Sequence, residues 1–530
     1  MMSAQPPPIT HQGLSHFLSY SNNNNNGSKI SDNTNDSTSS NDNSPSPSLS
    51  ATSTSSSAAD SPISSPSSVP RTLSPERSFG GPELLRLCPN SLYPQTFDLG
   101  KWTGINFKVL NEYIKSPDMT NPSATLQLGP GESVLPLECS IIQGRTISGD
   151  EDDEDDDDYN DSNSNNNGNT SPCIGMSHLL QIESRGLQSA SWFALESQAG
   201  PGIFESGNGG LEFRVTFKNG AAAPWRTATT ATATTATTAT TTNSRNVFWI
   251  RIGSPHSSIV SLAIGPYVVP SSIPPHKTWL KQRSRPRSQS PRSNEEATKV
   301  VRPFDITSHQ STGEPARILL ITESHNYMPQ GRVWDSAFVL LEFFKNRVAE
   351  GIRRRSSPIL AGKKILDLSA GTGLLGLYLA GLAEVELQSN NSTASTPPTS
   401  VVMTDLDDAM DLIGHNISSN RMLALHVDIS AQRLKWKTPF RAATNLKDLD
   451  VVIASDVIYD EKAFESLLST LVGLCSPGRT EIYLGYKRRQ LSPAKELEFF
   501  SKIKSLFHVE ELEKGPVHEL GVKVYRLSQG

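Results

Sequence analysis

Cysteine is scarce in this chain, with four among 530 residues, at positions 88, 139, 173 and 475. Their spacing supplies neither a disulfide framework nor a CxxC metal-ligand pair, so a reducing, intracellular setting is expected. No run of eighteen apolar residues is present, and the nearest candidate for a membrane span, around 374–382, is short. The opening Met1-Met2-Ser3-Ala4-Gln5-Pro6-Pro7-Pro8 lacks a basic stretch followed by an apolar one, so no secretory signal is expected. An excess of positive charge is also missing: 48 Lys and Arg stand against 54 Asp and Glu, for a net charge of −6. Nothing in that balance favours nucleic acid as a partner. Hydrophobic residues make up only 35% of the chain. They are fewest in residues 1–80, where Ser, Asn, Pro and Thr dominate, and such a segment buries too little apolar surface to offset the entropy of ordering.

What is present divides the remainder into two kinds of pattern. Residues 81–275 carry short β-branched and aromatic segments at 124–128, 211–217, 247–252 and 258–264, separated by Gly, Pro and Asn. This spacing predicts an all-β sandwich or barrel of unknown role. Two low-complexity insertions interrupt it: an acidic run at 150–158 leading into Asn- and Ser-rich sequence, and a Thr/Ala tract at 227–242. Both are expected to be solvated loops. A basic Ser/Pro/Arg segment, 276–299, reads as a linker, with nuclear import as its alternative.

From residue 300 to 530 strands and helices alternate. Strands are expected at 365–368, 401–404, 423–427, 450–454, 481–486 and 522–527, with helices near 334–348, 373–383, 408–420, 461–474 and 494–507. This alternation predicts an α/β fold with a doubly wound, mostly parallel sheet and a ligand at the C-terminal ends of its strands. The sharpest feature lies there: Ile365-Leu366-Asp367-Leu368-Ser369-Ala370-Gly371-Thr372-Gly373-Leu374-Leu375-Gly376, an apolar strand running through one acid into a glycine turn and a helix. Such a turn lets backbone approach a ligand, and the helix start offers unpaired N–H groups.

Gly371 to Gly376 fits the dinucleotide pattern GxGxxG only weakly. Asp367 lies inside the strand, and the next strand-end acid, Asp405, comes 29 residues past Gly376, farther than the roughly 20 expected of that fold. An acid before the glycines and another after the second strand suit a ligand with an ammonium at one end and a ribose at the other, as in S-adenosylmethionine.

Five blocks in order carry a family resemblance: Gly331-Arg332-Val333-Trp334-Asp335-Ser336-Ala337, Ile365 to Gly373, Thr404-Asp405-Leu406 with Asn416 and Asn420, Leu434-Lys435-Trp436, and Ala454-Ser455-Asp456-Val457-Ile458-Tyr459. Residues from about 318 to 527 resemble the seven-stranded, Rossmann-like, S-adenosylmethionine-dependent protein-lysine methyltransferases (methyltransferase family 16). That family includes the enzyme acting on valosin-containing protein and its chaperone-modifying relatives. The resemblance implies that Trp334 flanks the cofactor over a floor of Ser369, Ala370, Gly371 and Gly373. It implies further that Asp367 serves the methionine ammonium, Asp405 the ribose hydroxyls, and Trp436 and Ser455 the adenine. Asp456 and Tyr459 would be catalytic, orienting the target lysine. Structural alternatives remain open for these positions: a core aromatic for Trp334, a helix cap for Asp405, and a cap with a packing aromatic for Asp456 and Tyr459. Asn416 and Asn420, four apart on one helix face, read as structural. The chain departs from the family at Asp367-Leu368-Ser369, where relatives carry Glu-Leu-Gly.

The expected activity is methyl transfer to a lysine of a protein, with valosin-containing protein, a chaperone or a translation factor as substrate. No nucleic-acid or membrane partner and no metal is expected, and the setting is the cytoplasm, with the nucleus left open. The alternatives are methylation of another side chain or small molecule on the same fold, and a non-catalytic scaffold.

Overall fold

The computed structural model describes residues 84–89, 96–110, 134–147, 180–186, 202–204, 208–218, 245–254, 259–269, 279–282, 299–307, 317–324, 329–389, 397–489, 491–512 and 520–530. The segment 1–80, the expected strand at 124–128, both N-terminal insertions and most of the basic linker lie outside these residues.

The C-terminal region is built on a sheet of seven strands: β1 (Lys364–Leu368), β2 (Thr399–Asp405), β3 (Val427–Arg433), β4 (Val451–Ser455), β5 (Glu481–Lys487), β6 (His508–Glu511) and β7 (Val522–Ser528). Their order is β3-β2-β1-β4-β5-β7-β6. The first four neighbouring pairs are parallel, while β7 runs antiparallel to β5 and β6. Among the described residues five α-helices accompany the sheet: α1 (Asp335–Arg354), α2 (Leu374–Ser389), α3 (Met410–Asn420), α4 (Phe464–Leu474) and α5 (Pro493–Leu506). Alternate strand residues enter different apolar clusters. Ile365, Val401, Ile453 and Tyr483 join side chains of α1, α2 and α3, whereas Leu366, Val452, Ile482 and Leu484 join those of α4 and α5. This period-two partition is what a strand covered on both faces requires.

Two differences from the sequence pattern lie at sheet edges. The third strand is Val427–Arg433 rather than 423–427, and β6, which has no apolar run, was not expected. Part of the stretch read as linker, Trp279–Gln282, is a strand.

Two further seven-stranded sheets precede this region. One has the path 259–260, 85–89, 103–110, 208–217, 202–204, 134–136, with 180–185 joined to 208–217. The other runs 318–324, 299–305, 262–269, 279–282, 96–98, with 245–253 joined to 262–269 and 138–147 joined to 245–253. Their apolar residues, among them Phe107, Phe213, Phe248, Ile250 and Tyr267, form one cluster.

The boundary expected near residue 300 falls inside continuous structure. Strand Lys299–Asp305 pairs with 262–269 on one side and with Ile318–Ser324 on the other. Leu84, Val260, Phe304, Leu319 and Ile321 lie in the same apolar cluster as α1 and α2. The family motifs begin after this hairpin, so pattern reading placed the boundary where the composition changed.

The outer strand of the hairpin ends its sheet, and α3 supplies the missing ladder. Asn416 accepts from Thr322 N–H at 2.9 Å and donates to Thr322 O at 3.0 Å, while Asn420 does the same for Leu320 at 2.9 and 2.8 Å. The i, i+4 spacing of the two amides matches alternate residues of an extended strand. Among the described residues no helix is long and apolar enough to cross a membrane.

Candidate active site

Parallel pairing brings three strand ends level. Leu368 is opposite Thr404 of β2 and Ala454 of β4, so Ser369, Asp405 and Ser455 leave the sheet side by side. Strand order reverses between β1 and β4, where an α/β sheet opens a crevice at its C-terminal edge.

The turn after β1 is held by its two acids. Asp367, on the α2 side of β1, accepts from Gly376 N–H at 2.8 Å, and Thr404 Oγ1 donates to Asp367 O at 3.0 Å. Asp405 accepts from Gly371 N–H at 2.8 Å through one oxygen and from Leu406 N–H at 2.7 Å through the other. Ala370 N–H donates to Thr404 O at 2.9 Å. Burial pushes the Asp367 carboxyl up to about 7, against the Gly376 amide and with a small contribution from Asp405. Burial also raises Asp405, although the amides of Gly371 and Leu406 oppose it.

Gly371 sits at φ 58, and a Cβ there would lie 3.0 Å from Gln330 O. Only glycine allows the 330–334 segment to pass this close. The same region of conformational space holds Ser369, at φ 62, in the position where the resemblance implies glycine. A side chain in left-handed backbone costs about 1–2 kcal/mol. Ser369→Gly is therefore expected to stabilise the fold by roughly 0.5–1 kcal/mol, after the greater unfolded-state entropy of glycine is subtracted. Thermal unfolding of both forms checks this, and an unchanged or lower midpoint would mean that the Ser369 hydroxyl contributes more than its backbone costs.

Trp334 precedes the first turn of α1, and its indole Nε1 donates to Pro329 O at 3.1 Å. The Arg489 guanidinium lies over its ring, 4.6 Å from the centroid. Arg489 also pairs with Asp456 at 2.8 Å, the side chains being 8% and 5% exposed. The Asp456 side chain is almost fully buried at the end of β4. It is turned inward, because its backbone adopts φ 55 and its N–H donates to Gly485 O at 3.0 Å. Its second oxygen accepts from Ser336 N–H at 3.0 Å, at the start of α1. Burial raises the Asp456 carboxyl, and Arg489 opposes that rise without cancelling it. Tyr459, three residues on, stands at the surface, 53% exposed.

Ser455 closes β4 with its Oγ buried and lacking a hydrogen-bond partner among the described residues. Leu434 N–H donates to Asp405 O at 2.8 Å, which holds the 434–436 segment against the end of β2, and Trp436 packs on the apolar cluster of α4 and α5. Seven of the expected positions thus surround the ends of β1, β2 and β4: Asp367, Ser369, Ala370, Gly371, Gly373, Asp405 and Ser455. Trp334, Asp456 and Arg489 form an adjoining group under α1. Pattern reading missed Arg489. Its signal was the basic run Lys487-Arg488-Arg489 at the end of a strand, which sequence alone does not distinguish from a solvated strand terminus.

Comparison with known proteins bears on this geometry. A family model described as lysine methyltransferase matches residues 314–506. EEF1A lysine methyltransferase 3 of Mus musculus is 30% identical over 195 residues, covering 37% of this chain and 70% of the relative. Protein-lysine N-methyltransferase EFM6 of Saccharomyces cerevisiae is 29% identical over 191 residues, covering 34% and 72%. Protein-lysine methyltransferase METTL21E of Mus musculus is 29% identical over 199 residues, covering 37% and 69%. With the acid-flanked glycine turn, the level strand ends and these relatives together, the chain belongs to the lysine methyltransferase family and moves a methyl group from S-adenosylmethionine to a lysine side chain of a protein.

Proposed function

We propose that the cofactor lies across the level ends of β1, β2 and β4, that the target lysine enters beside Asp456 and Tyr459, and that the protein substrate is EEF1A. The alignment of Ser369, Asp405 and Ser455 at one sheet edge, with Asp367 two residues back in β1, carries the first part. Each Asp405 oxygen accepts one backbone amide, which leaves lone pairs for the two ribose hydroxyls. Asp367 is a buried acid with no ion-pair partner among the described residues, a condition that the methionine ammonium relieves. The Ser455 Oγ, buried without a hydrogen-bond partner among the described residues, would serve the adenine with Trp436, and Ser369, Ala370, Gly371 and Gly373 would form the floor, with Trp334 at its edge. S-adenosylmethionine supplies an electrophilic methyl group on a sulfonium.

The remaining chemistry belongs to the chain. A lysine attacks only as the neutral amine, and free lysine titrates near 10.4. A bare carboxylate at the acceptor position would hold it as ammonium. Here Arg489 already balances Asp456, and a second cation beside the incoming amine favours its neutral form. Asp456 then serves as a fixed acceptor that aligns the amine, its position set by Ser336 N–H and Arg489. Tyr459, exposed at the mouth, guides the aliphatic stem of the lysine.

The choice of EEF1A rests on the name of the mouse relative, which favours it over valosin-containing protein or a chaperone. Incubating the full chain with labelled S-adenosylmethionine and purified EEF1A, then mapping the label by mass spectrometry, tests it. Label is expected on a lysine of EEF1A. An unlabelled EEF1A beside a labelled protein in a whole-cell extract would replace it with that protein.

A further inference from the structure

We infer that Arg86, in the first described strand of the N-terminal sheets, is a positioning residue for the Asp456 carboxylate; the inference rests on the reading of Asp456 given above. Arg86 crosses from strand Leu85–Pro89 to the start of α1, a separation of 249 residues in sequence. Its guanidinium donates to Val333 O at 2.8 Å, to Asp335 Oδ1 at 3.2 Å and to Leu84 O at 3.2 Å. The Arg86 and Asp335 side chains are 1% and 0% exposed. Lys487 Nζ, at the end of β5, holds the other Asp335 oxygen at 2.6 Å.

The Val333 peptide is gripped from both sides by buried ions. Its N–H donates to Glu323 at 3.0 Å, and Glu323 in turn pairs with Arg302 at 2.9 Å. Arg302 donates to Leu87 O in the same strand as Arg86, so Arg86 and the Glu323–Arg302 pair tie this strand to one short segment. That segment continues directly into Trp334, Asp335 and Ser336. Ser336 N–H then meets Asp456.

A planar guanidinium reaching a carbonyl and a carboxylate together fixes direction as well as distance, which a lysine ammonium does not reproduce. Without Arg86, Asp335 loses one of its ion-pair partners, and the 333–336 segment loses the contact that sets its position relative to the N-terminal strand. The donor at Ser336 shifts, and Asp456 shifts with it. The N-terminal sheets act on the reaction through this contact.

A double-mutant cycle in the full chain tests the assignment, combining Arg86→Met and Arg86→Lys with Asp456→Asn. Each Arg86 variant is expected to lower kcat roughly tenfold with cofactor Kd changed less than about twofold, since small misplacements at a reacting centre are costly. In the Asp456→Asn background the same changes are expected to lower kcat no further. Arg86→Lys, which keeps the charge, serves where Arg86→Met does not fold. Equal losses in both backgrounds, or a loss matching only the unfolded fraction at the assay temperature, would overturn the inference. Full turnover by Asp456→Asn alone would overturn the underlying reading of Asp456, a result separable from the first because it needs no change at Arg86.

Discussion

Asp456→Asn is expected to lower methyl transfer at least about 100-fold while leaving cofactor affinity within a few-fold of the parent. The asparagine keeps the size and shape of the side chain and one acceptor oxygen, enough for either Ser336 N–H or Arg489, so the packing around α1 is largely retained. Its amide cannot accept from the incoming amine at the second position, and the charge balance with Arg489 is lost. Alanine is the poorer probe. Both substitutions remove the counter-charge of the buried Arg489 guanidinium, a loss that costs about 3–5 kcal/mol when one member of a buried pair goes, but alanine also removes every acceptor and leaves a void. Single-turnover rates with saturating cofactor, alongside calorimetric Kd values, separate the two effects. A variant that turns over at the parental rate, or one whose only defect is cofactor binding, would remove Asp456 from the acceptor position.

Asp405→Ala should produce the opposite division: cofactor binding weakened roughly 30- to 100-fold, as expected for lost charged hydrogen bonds worth about 2–3 kcal/mol. Two effects combine, because Asp405 both offers acceptors to a ribose and pins the turn through Gly371 N–H. A pH dependence follows from the same residue. Burial raises its carboxyl above the ordinary range, so the free protein takes up a proton there at a higher pH than an exposed aspartate would. The protonated form accepts poorly, and cofactor affinity is expected to fall as pH drops through that raised value and to level off above it. Asp405→Ala should flatten this limb. An undiminished affinity, measured by calorimetry across the pH range, would move the ribose away from Asp405.

Sequence made the centre of the catalytic sheet legible and its edges obscure, for a physical reason. Strands β1, β2 and β4 are buried on both faces, so they appear as apolar runs, and their ends carry the acids that chemistry demands. Strand β3 buries Val427 but exposes alternate residues, and β6 is His508-Val509-Glu510-Glu511, with no apolar signal. The shift of β3 from 423–427 arose because Leu423 and Leu425 supplied the apolar pattern, although Leu425 stands 59% exposed.

The acids of the site were readable one by one, since the glycine turn gave each a place. Arg489 and Arg86 were not, because both act through contacts that only tertiary structure creates. Ser369 lies between these cases: its departure from the family glycine was visible in sequence, but the positive φ that gives the departure its cost was not.

The strand Lys299–Asp305, paired on both sides, also decides how this protein can be shortened. A protein beginning near residue 300 would keep every family motif and still bare one side of that strand. The ladder lost is the Ala263–Val301 pair, and with it goes the apolar cover over Val300 and Phe304, so such a fragment should self-associate through its new edge. A start ahead of Leu84 keeps the edge covered.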